Sequence, residues 1–242
     1  MTIKQQIGRS IFRKLPFSRH VFNHIRLEIN AIWVRFLHKV SPFYIRKVNK
    51  LKKQKDLLVN LGCGPYGKES GWINLDLFPI QYVYIRTDCR KKLVLADDSC
   101  AGVHIEMFLE HVDPFDELPF LLNECHRVLK PTGVLRIIVP DAEKFIKAYL
   151  SGGWEEMNKI SYGGEDWSEI YSCKMEALNH VFLQEYEHFG GWDFKRLKLV
   201  LEKAGFSLIN HVKFNEGSFP IEIIDREFHR SNGLYVEAIK QI

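Results

Sequence analysis

The hydrophobic pattern divides the chain into a helical N-terminal part and a longer part in which strands and helices alternate. In residues 1–17, apolar residues recur about every fourth position among basic ones, which predicts an amphipathic helix that Pro16 ends. Ser18 can cap a second helix, and the apolar residues of that helix fall on one broad face up to Val40. Residues 45–55 are expected to form a basic connector.

From residue 56 onward, the alternation of short apolar runs with helical patterns predicts a mostly parallel sheet covered by helices. The predicted strands are 57–61, 72–76, 82–86, 102–107, 134–139, 207–214 and 234–240. The predicted helices are 114–129, 141–150 and 193–204. Residues 130–133 read as a turn, about 151–190 as an irregular insertion, and the last two strands as a hairpin at the sheet edge. The expected fold class is therefore α/β and Rossmann-like over 56–242, with a helical extension over 1–55.

Composition allows one core of ordinary size, since 46% of the 242 residues are hydrophobic. Five scattered cysteines form no CxxC pair, so neither a zinc site nor a disulfide framework is indicated, and a reducing compartment is expected. We expect no secretory signal and no transmembrane helix, because the apolar runs are short and interrupted by charges. The chain is expected to be cytoplasmic.

The net charge of +4 conceals an uneven distribution. Residues 1–55 hold 14 Lys/Arg and one acid, Glu28, whereas 56–242 hold 20 Lys/Arg and 29 Asp/Glu. A basic arm on an acidic body favours an anionic partner. Two alternatives are open: the arm covers the domain, or it lies in an anionic membrane interface as a peripheral anchor. Nucleic acid is the weakest alternative, because no RNA-binding motif is present.

The clearest chemical motif is the apolar run Leu57–Leu61 followed at once by Gly62-Cys63-Gly64. A glycine turn at the carboxyl end of a strand is where open α/β sheets bind nucleotides. Asp76 ends the next apolar run, where a carboxylate can accept hydrogen bonds from ribose hydroxyls. Residues 62–67 also match G-x-G-x-x-G, so NAD is an alternative. The early Pro65 and the short spacing to Asp76 favour S-adenosylmethionine (SAM) instead.

With its motifs in this order, the chain resembles the class I SAM-dependent methyltransferases. It is most similar to the bacterial, type 11-like branch associated with surface polysaccharides. The resemblance covers roughly residues 56–240. The segments that carry it are LVNLGCGPYGKESGWINLDLFP, TDCRKKLVLADDSCAGVHIEMFLEHVD, ECHRVLKPTGVLRIIVPD, HFGGWDFKRLKLVLEKAGF and GLYVEA.

The resemblance implies a set of residues around SAM and its product S-adenosylhomocysteine. The glycine loop would lie under the methionine part, Asp76 would bind the ribose, Asp88 would accept from the adenine amine, and Glu106 would border the methionine tail. The full implied set is Asn60, Leu61, Gly62, Cys63, Gly64, Asp76, Asp88, Cys89, Glu106 and Met107. Asp76 and Asp88 could instead be turn or cap residues, and Cys63 a packing residue. Met107 stands where relatives often carry His.

Methyl transfer to a hydroxyl needs alignment of the reacting atoms and a base for the released proton. His188 and His111 are the candidate bases, because imidazole is easily set near neutral pH. His111 could instead orient a local helix. Weaker candidates for substrate contact are His180, Asp141 and Trp192, although Asp141 could equally cap a helix. The insertion over about 151–190 is expected to form the acceptor pocket, and its aromatic residues could stack on a sugar ring or pack a core. No carboxylate–histidine cluster in the sequence indicates a metal site.

These observations favour an O-methyltransferase acting on a sugar, a glycolipid or a polysaccharide intermediate at the inner membrane face. Its acceptor could alternatively be a small metabolite or a nucleic acid. A non-catalytic SAM-fold partner of a glycosyltransferase also remains open, since Met107 removes a polar group near the methyl. The oligomeric state stays undetermined.

Overall fold

The computed structural model describes residues 18–69, 71–221 and 225–241. The helix predicted for residues 1–17 lies outside this part of the chain. In the described part, one sheet holds seven strands in the order β3-β2-β1-β4-β5-β7-β6. The strands are β1 Leu57–Leu61, β2 Trp72–Asp76, β3 Ile85–Arg86, β4 Cys100–Glu106, β5 Leu129–Pro140, β6 Leu208–Val212 and β7 Gly233–Ile239.

The sheet confirms the predicted Rossmann-like α/β class. Strands β1 to β5 pair in parallel, whereas β7 runs antiparallel to both β5 and β6 and places the predicted hairpin at the edge. Strand β3 is shorter than predicted. Strand β5 begins at Leu129 and takes in the predicted turn, because its pairing with β4 shifts register between Cys100 and Gly102. Thr132 has a positive φ of 66° there.

Eight α-helices are present among the described residues. They are α1 Arg19–Val40, α2 Pro42–Leu51, α3 Glu117–Val128, α4 Ala142–Leu150, α5 Glu155–Lys159, α6 Trp167–Ile170, α7 Lys174–Leu183 and α8 Phe194–Lys203. Ser18 caps α1 as predicted, accepting from the amide of Val21. The connector predicted for 45–55 was wrong over most of its length. Pro42 ends α1 but also stands at the start of α2, where its fixed φ suits a first helical turn.

The insertion is more regular than the sequence indicated, because α5, α6 and α7 lie within it. These short helices pack on α4 around a small core of their own, in which Trp167 stacks on Phe145 with ring centroids 5.9 Å apart. Trp167 is fully buried. The aromatic surface expected to stack on a sugar ring is therefore largely internal packing, since helices this short need bulky side chains to hold together.

A row of polar residues crosses the buried sheet in register. Asn74 pairs with Asn60, Asn60 with His104, His104 with Arg136, and Arg136 with Glu237. All five side chains are buried. The amide of Asn60 donates to Asn74 Oδ1 (3.0 Å), and its oxygen lies 3.3 Å from His104 Nδ1. Buried polar groups persist only when they are hydrogen-bonded, so this row fixes the strand register.

Helix α1 contacts the domain through polar side chains as well as through buried Ala31 and Val34. Its Glu28 accepts from Arg90 Nη1 (2.6 Å), its Asn30 accepts from Arg86 Nη2 (2.5 Å), and its Arg35 pairs with Asp88. The large apolar residues of α1 point elsewhere and are exposed: Val21, Phe22, Ile25, Ile29, Ile32, Trp33, Phe36 and Val40.

Candidate active site

The glycine turn after β1 has the backbone geometry that the sequence predicted. Gly62 and Gly64 have φ values of +63° and +52°, which side chains rarely allow. A Cβ at Gly62 would lie 2.4 Å from Cγ of Phe108, so no larger residue fits. A Cβ at Gly64 would meet nothing within 4 Å, which leaves open space beside the turn.

Asp76 closes this turn from the end of β2. Its Oδ2 accepts from the Gly64 amide and its Oδ1 from the Phe78 amide, each at 2.9 Å. Each carboxylate oxygen has a second lone pair for a further donor. The turn-residue role and the ribose-binding role considered for Asp76 are thus compatible. Beside it, burial foremost and then the charge of Asp76 raise the pKa of the Cys63 thiol to about 12, which disfavours a catalytic thiolate.

Asp88 is already engaged by two arginines. Arg90 Nε donates to its Oδ1 at 3.0 Å, and Arg35 of α1 pairs with its Oδ2. A hydrogen bond to an adenine amine would have to share this carboxylate, so that role stays a prediction. Cys89 is buried beside it, with Sγ 3.8 Å from the Leu75 carbonyl oxygen.

A cavity of about 1400 Å³ lies at the carboxyl ends of β1, β2 and β4. Gly62, Asp76, Asp88, Cys89 and Met107 of the predicted cofactor set line it. Helix α1 lines one side, and another side is lined by His111 together with Glu185, Tyr186, Glu187 and Phe189 near the end of the insertion. The open space at Gly64, the available acceptors of Asp76 and the cavity size fit SAM.

His111 and His188 meet at the border of this cavity. Their ring centroids are 4.5 Å apart, edge to face. His111 Nδ1 lies 3.1 Å from the Glu187 carbonyl oxygen, and His188 Nδ1 lies 2.7 Å from the Val181 carbonyl oxygen. A carbonyl can only accept, so each Nδ1 carries the proton and each neutral ring has its lone pair on Nε2.

Burial lowers the pKa of both histidines and so keeps them neutral. Desolvation is the main cause, and it brings the pKa of His188 to about 4, with a further contribution from His111. Glu110 lies beside the pair and is 2% exposed. Desolvation raises its pKa to about 8. Such clustered perturbations are typical of functional sites.

The other predicted residues lie at different places around this edge. Glu106 accepts from the Arg226 amide (3.1 Å) and pairs with its guanidinium, and Met107 has a φ of +51° directly after β4. Asn60 and Leu61 are buried in β1. Asp141 accepts from the amides of residues 143 and 144, so it caps α4.

Two predicted substrate contacts do not line the cavity among the described residues. Trp192 is 2% exposed and lies in the main core, with the Arg196 guanidinium 4.0 Å from its ring centroid. The expected contact of Trp192 with substrate therefore has no support, because its face is covered by packing. His180 lies between Tyr162 and Tyr171 in the insertion.

Sequence reasoning missed three contributors to the site. Helix α1 was not expected to line the cavity, although Glu28 as the single acid of a basic arm was a usable signal. Glu110 was overlooked because it reads as a surface residue next to His111. The backbone of residues 184–186 was also missed: these residues lie in the insertion expected to form the acceptor pocket, but all three have positive φ values, which no sequence pattern indicates.

Comparison with known proteins fits this geometry. Residues 59–137 match a family model described as a methyltransferase domain. This match spans about a third of the chain and supports a methyltransferase that uses SAM as its cofactor. No curated protein matches the chain significantly.

The chain is also similar to solved structures of low sequence identity. A SAM-dependent methyltransferase from Archaeoglobus fulgidus is 20% identical, with a TM-score of 0.48, covering 86% of this chain and 99% of its own. The 1,6-didemethyltoxoflavin-N1-methyltransferase of Burkholderia thailandensis, solved with S-adenosylhomocysteine, is 12% identical with a TM-score of 0.48, covering 95% of this chain and 93% of its own.

Proposed function

We propose that this enzyme transfers the methyl group of SAM to a hydroxyl oxygen of a sugar or glycolipid acceptor at an anionic membrane surface. The observation that carries the proposal is the pair of neutral histidines on a cavity whose other wall is an amphipathic helix with its apolar side exposed. Bound SAM supplies an activated methyl group. The protein must then align the acceptor and remove its proton.

His111 is the better placed base of the two, because it lines the cavity and His188 stands behind it. Its Nδ1 donates to the Glu187 carbonyl, which leaves Nε2 to accept the hydroxyl proton. His188 holds the ring of His111 by edge-to-face packing and so acts as a positioning residue. General-base catalysis of this kind contributes roughly 10²- to 10⁴-fold in rate.

The acceptor class is supported by the space available. A cavity of about 1400 Å³ exceeds what drug-sized ligands normally occupy, so SAM and a second molecule can share it. The wall formed by Glu185, Tyr186, Glu187 and Phe189 belongs to the insertion expected to form the acceptor pocket. The polar lining of the whole cavity, which includes Glu187, Asp113 and Asn23, suits a hydroxyl-rich molecule.

The membrane part of the proposal rests on α1 and α2. Ile29, Trp33 and Phe36 of α1 are 63%, 52% and 49% exposed, and Phe43 of α2 continues the patch. Lys39 and Arg46 are exposed nearby. We name Ile25, Ile29, Ile32, Trp33 and Phe36 the apolar face of α1. Helices with aromatic residues on one side and basic residues around them bind anionic interfaces. Among the described residues, no helix is both long and apolar enough to cross a bilayer.

An acceptor screen tests the reaction. The purified full chain is incubated with SAM labelled in its methyl group and a panel of lipid-linked saccharides, nucleotide sugars, small metabolites and RNA. We expect label in a saccharide fraction, with kcat lowered at least 100-fold in His111→Gln. Activity should persist at pH 6.5 and decline only at more acidic pH, because the pKa of His111 is lowered and only the neutral ring accepts a proton. Transfer to a small metabolite or RNA alone would contradict the acceptor class. SAM binding without turnover on any acceptor would favour a non-catalytic role.

Sedimentation with liposomes tests the membrane contact. The full chain should sediment with phosphatidylserine-containing vesicles and release at high salt, and Ile29→Ser/Trp33→Ser should abolish sedimentation. The matched control is Leu150→Ser/Ile170→Ser, which removes two exposed apolar residues elsewhere. Equal sedimentation of both double variants would overturn the membrane contact. Concentration-dependent dimerisation that the α1 variant abolishes would assign the face to a second copy instead.

A further inference from the structure

The cluster of Glu110, His111 and His188 has the composition of a metal site. One ligand atom from each residue lies within 4.8 Å of the other two. Two imidazoles and one carboxylate are a common ligand set for Zn²⁺ and for divalent iron, and they leave coordination positions open for water or substrate. No local sequence pattern indicates this site, since His188 lies far along the chain from the other two residues.

Two polar atoms of the cluster have no protein partner. Glu110 Oε2 and His188 Nε2 are buried and make no hydrogen bond among the described residues. The residues that carry them are 2% and 7% exposed. Burying such groups without partners costs free energy, and a bound ion would satisfy both. These atoms are an independent sign that the cluster holds a ligand.

The histidines are also oriented as metal ligands usually are. Metal-binding histidines commonly donate their second ring nitrogen to a carbonyl, which fixes the ring and its tautomer. Here Nδ1 of His111 donates to Glu187 O and Nδ1 of His188 to Val181 O. A backbone bond from the Phe189 amide to the Glu110 carbonyl (2.8 Å) holds the two segments together.

From this geometry we infer that Glu110, His111 and His188 bind one divalent transition ion, with Zn²⁺ as the best match. Ligands of a tetrahedral ion at about 2.0–2.2 Å lie about 3.3–3.6 Å apart, so ligand atoms that now lie within 4.8 Å of one another must close by up to about 1.5 Å. His111 lines the cavity, so an ion bound here would lie at the cavity border. In the ion-loaded form the ion would lower the pKa of the acceptor hydroxyl, whose proton would pass to water in the cavity, and His111 would be a ligand; in the ion-free form His111 keeps the base role proposed above.

This inference deepens the proposed function but is tested without it. Chelator-treated full chain is titrated with Co²⁺, whose visible absorption reports nitrogen and oxygen ligation, and with Zn²⁺ and Mg²⁺ by calorimetry. We expect one Co²⁺ per chain, displaced by Zn²⁺ and not by Mg²⁺. Binding should weaken at least tenfold in His111→Gln and Glu110→Gln. His211→Gln, which changes an exposed histidine stacked on Phe194, should bind as the wild type does.

A second measurement keeps the inference testable if a variant fails to fold. X-ray absorption of the Zn²⁺-loaded wild type should show two imidazoles and a carboxylate. Absence of stoichiometric binding, a sulfur shell, or equal affinity in folded ligand variants would overturn the site. Methyl transfer that a chelator leaves unchanged would overturn only the ion's role in catalysis. Metal binding without methyl transfer would instead count against the proposed function.

Discussion

Individual backbone positions decide whether the cofactor edge can form. Gly62 and Gly64 take left-handed φ values in one turn, and Met107 takes one on the neighbouring strand although it carries a side chain. Strained backbone of this kind clusters at ligand sites, where the surrounding fold holds it. The two glycines differ in surroundings, since one faces Phe108 and the other faces open space.

This difference predicts unequal effects of alanine. Gly62→Ala should lower the free energy of unfolding by about 2–4 kcal/mol, because it adds both left-handed strain and a clash with Phe108. Gly64→Ala should cost about 1–2 kcal/mol in stability, because it adds only the strain. Urea unfolding of both variants checks the prediction. Equal losses would mean that Phe108 does not restrict the turn.

A buried histidine makes stability depend on pH. Desolvation above all, then Arg226, lowers the pKa of His229 to about 4 in the folded chain. Its unfolded value is about 6.5, so between pH 6.5 and 4 the unfolded state binds more protons. As pH falls through this window, His229 therefore lowers the free energy of unfolding by up to about 1.4 kcal/mol per pH unit.

The matching measurement is the free energy of unfolding from pH 7 to pH 5 in the wild type and in His229→Gln. The variant should show a shallower decline, whatever its stability at pH 7. His211→Gln, an exposed histidine, should keep the wild-type slope. A wild-type slope in His229→Gln would contradict the buried neutral histidine.

Among the secondary structure elements, strand β5 contacts the turn at Lys213 and Glu216 and also Asp225 through one buried cation. Arg136 of β5 binds Asp225 (2.5 Å) and Glu237 (2.9 Å), and it donates to the carbonyls of Glu216 and Lys213. All three charged side chains are fully buried. Such a network is costly to break, because removing one member leaves buried charges unpaired.

Arg136→Met should therefore destabilise the chain by about 3–5 kcal/mol, since Asp225 and Glu237 lose their shared partner. Arg230→Met removes an exposed pair with Glu227 and should cost less than about 1 kcal/mol. Urea unfolding of the two variants provides the comparison. Losses of similar size would show that the buried network contributes no more than a surface pair.

The elements also show where sequence patterns were sufficient. Strands β1 and β2 were predicted to the residue, because apolar runs bounded by charge and glycine leave little choice of boundary. Helix α2 was missed because Pro42 both stops one helix and starts the next. The orientation of α1 could not be predicted, since an apolar stripe normally turns inward and here polar contacts to Arg86, Asp88 and Arg90 bind the opposite side.

Sequence patterns also placed some residues of the candidate site and not others. Gly62, Asp76, Asp88, Cys89 and Met107 all line the cavity, because the fold brings strand ends together, and their roles in cofactor binding stay predictions. The meeting of Glu110 with His188 depends on how the insertion folds back, which local patterns do not encode. Trp192 was misplaced because an aromatic residue fills a core as readily as a pocket.

The molecule as a whole combines a nucleotide-binding sheet edge, a histidine pair and a basic helical extension around one cavity. Helix α1 links these parts, since it lines the cavity with Glu28 and His24 while its apolar face stays exposed. The proposed cofactor site, acceptor site and membrane-binding face therefore share one wall. The central claim beneath all of them is that this edge binds SAM through Asp76.

Calorimetric titration of the purified full chain with SAM, S-adenosylhomocysteine and NAD tests that claim most directly. We predict micromolar binding of both sulfur nucleosides, no binding of NAD, and a loss of about 10- to 100-fold in Asp76→Ala, because charged hydrogen bonds to the ribose are worth about 1.5–3 kcal/mol. Asp193→Ala, which removes only the cap of α8, is the matched control. Folded wild-type protein that binds neither sulfur nucleoside, or binds NAD instead, would contradict the account.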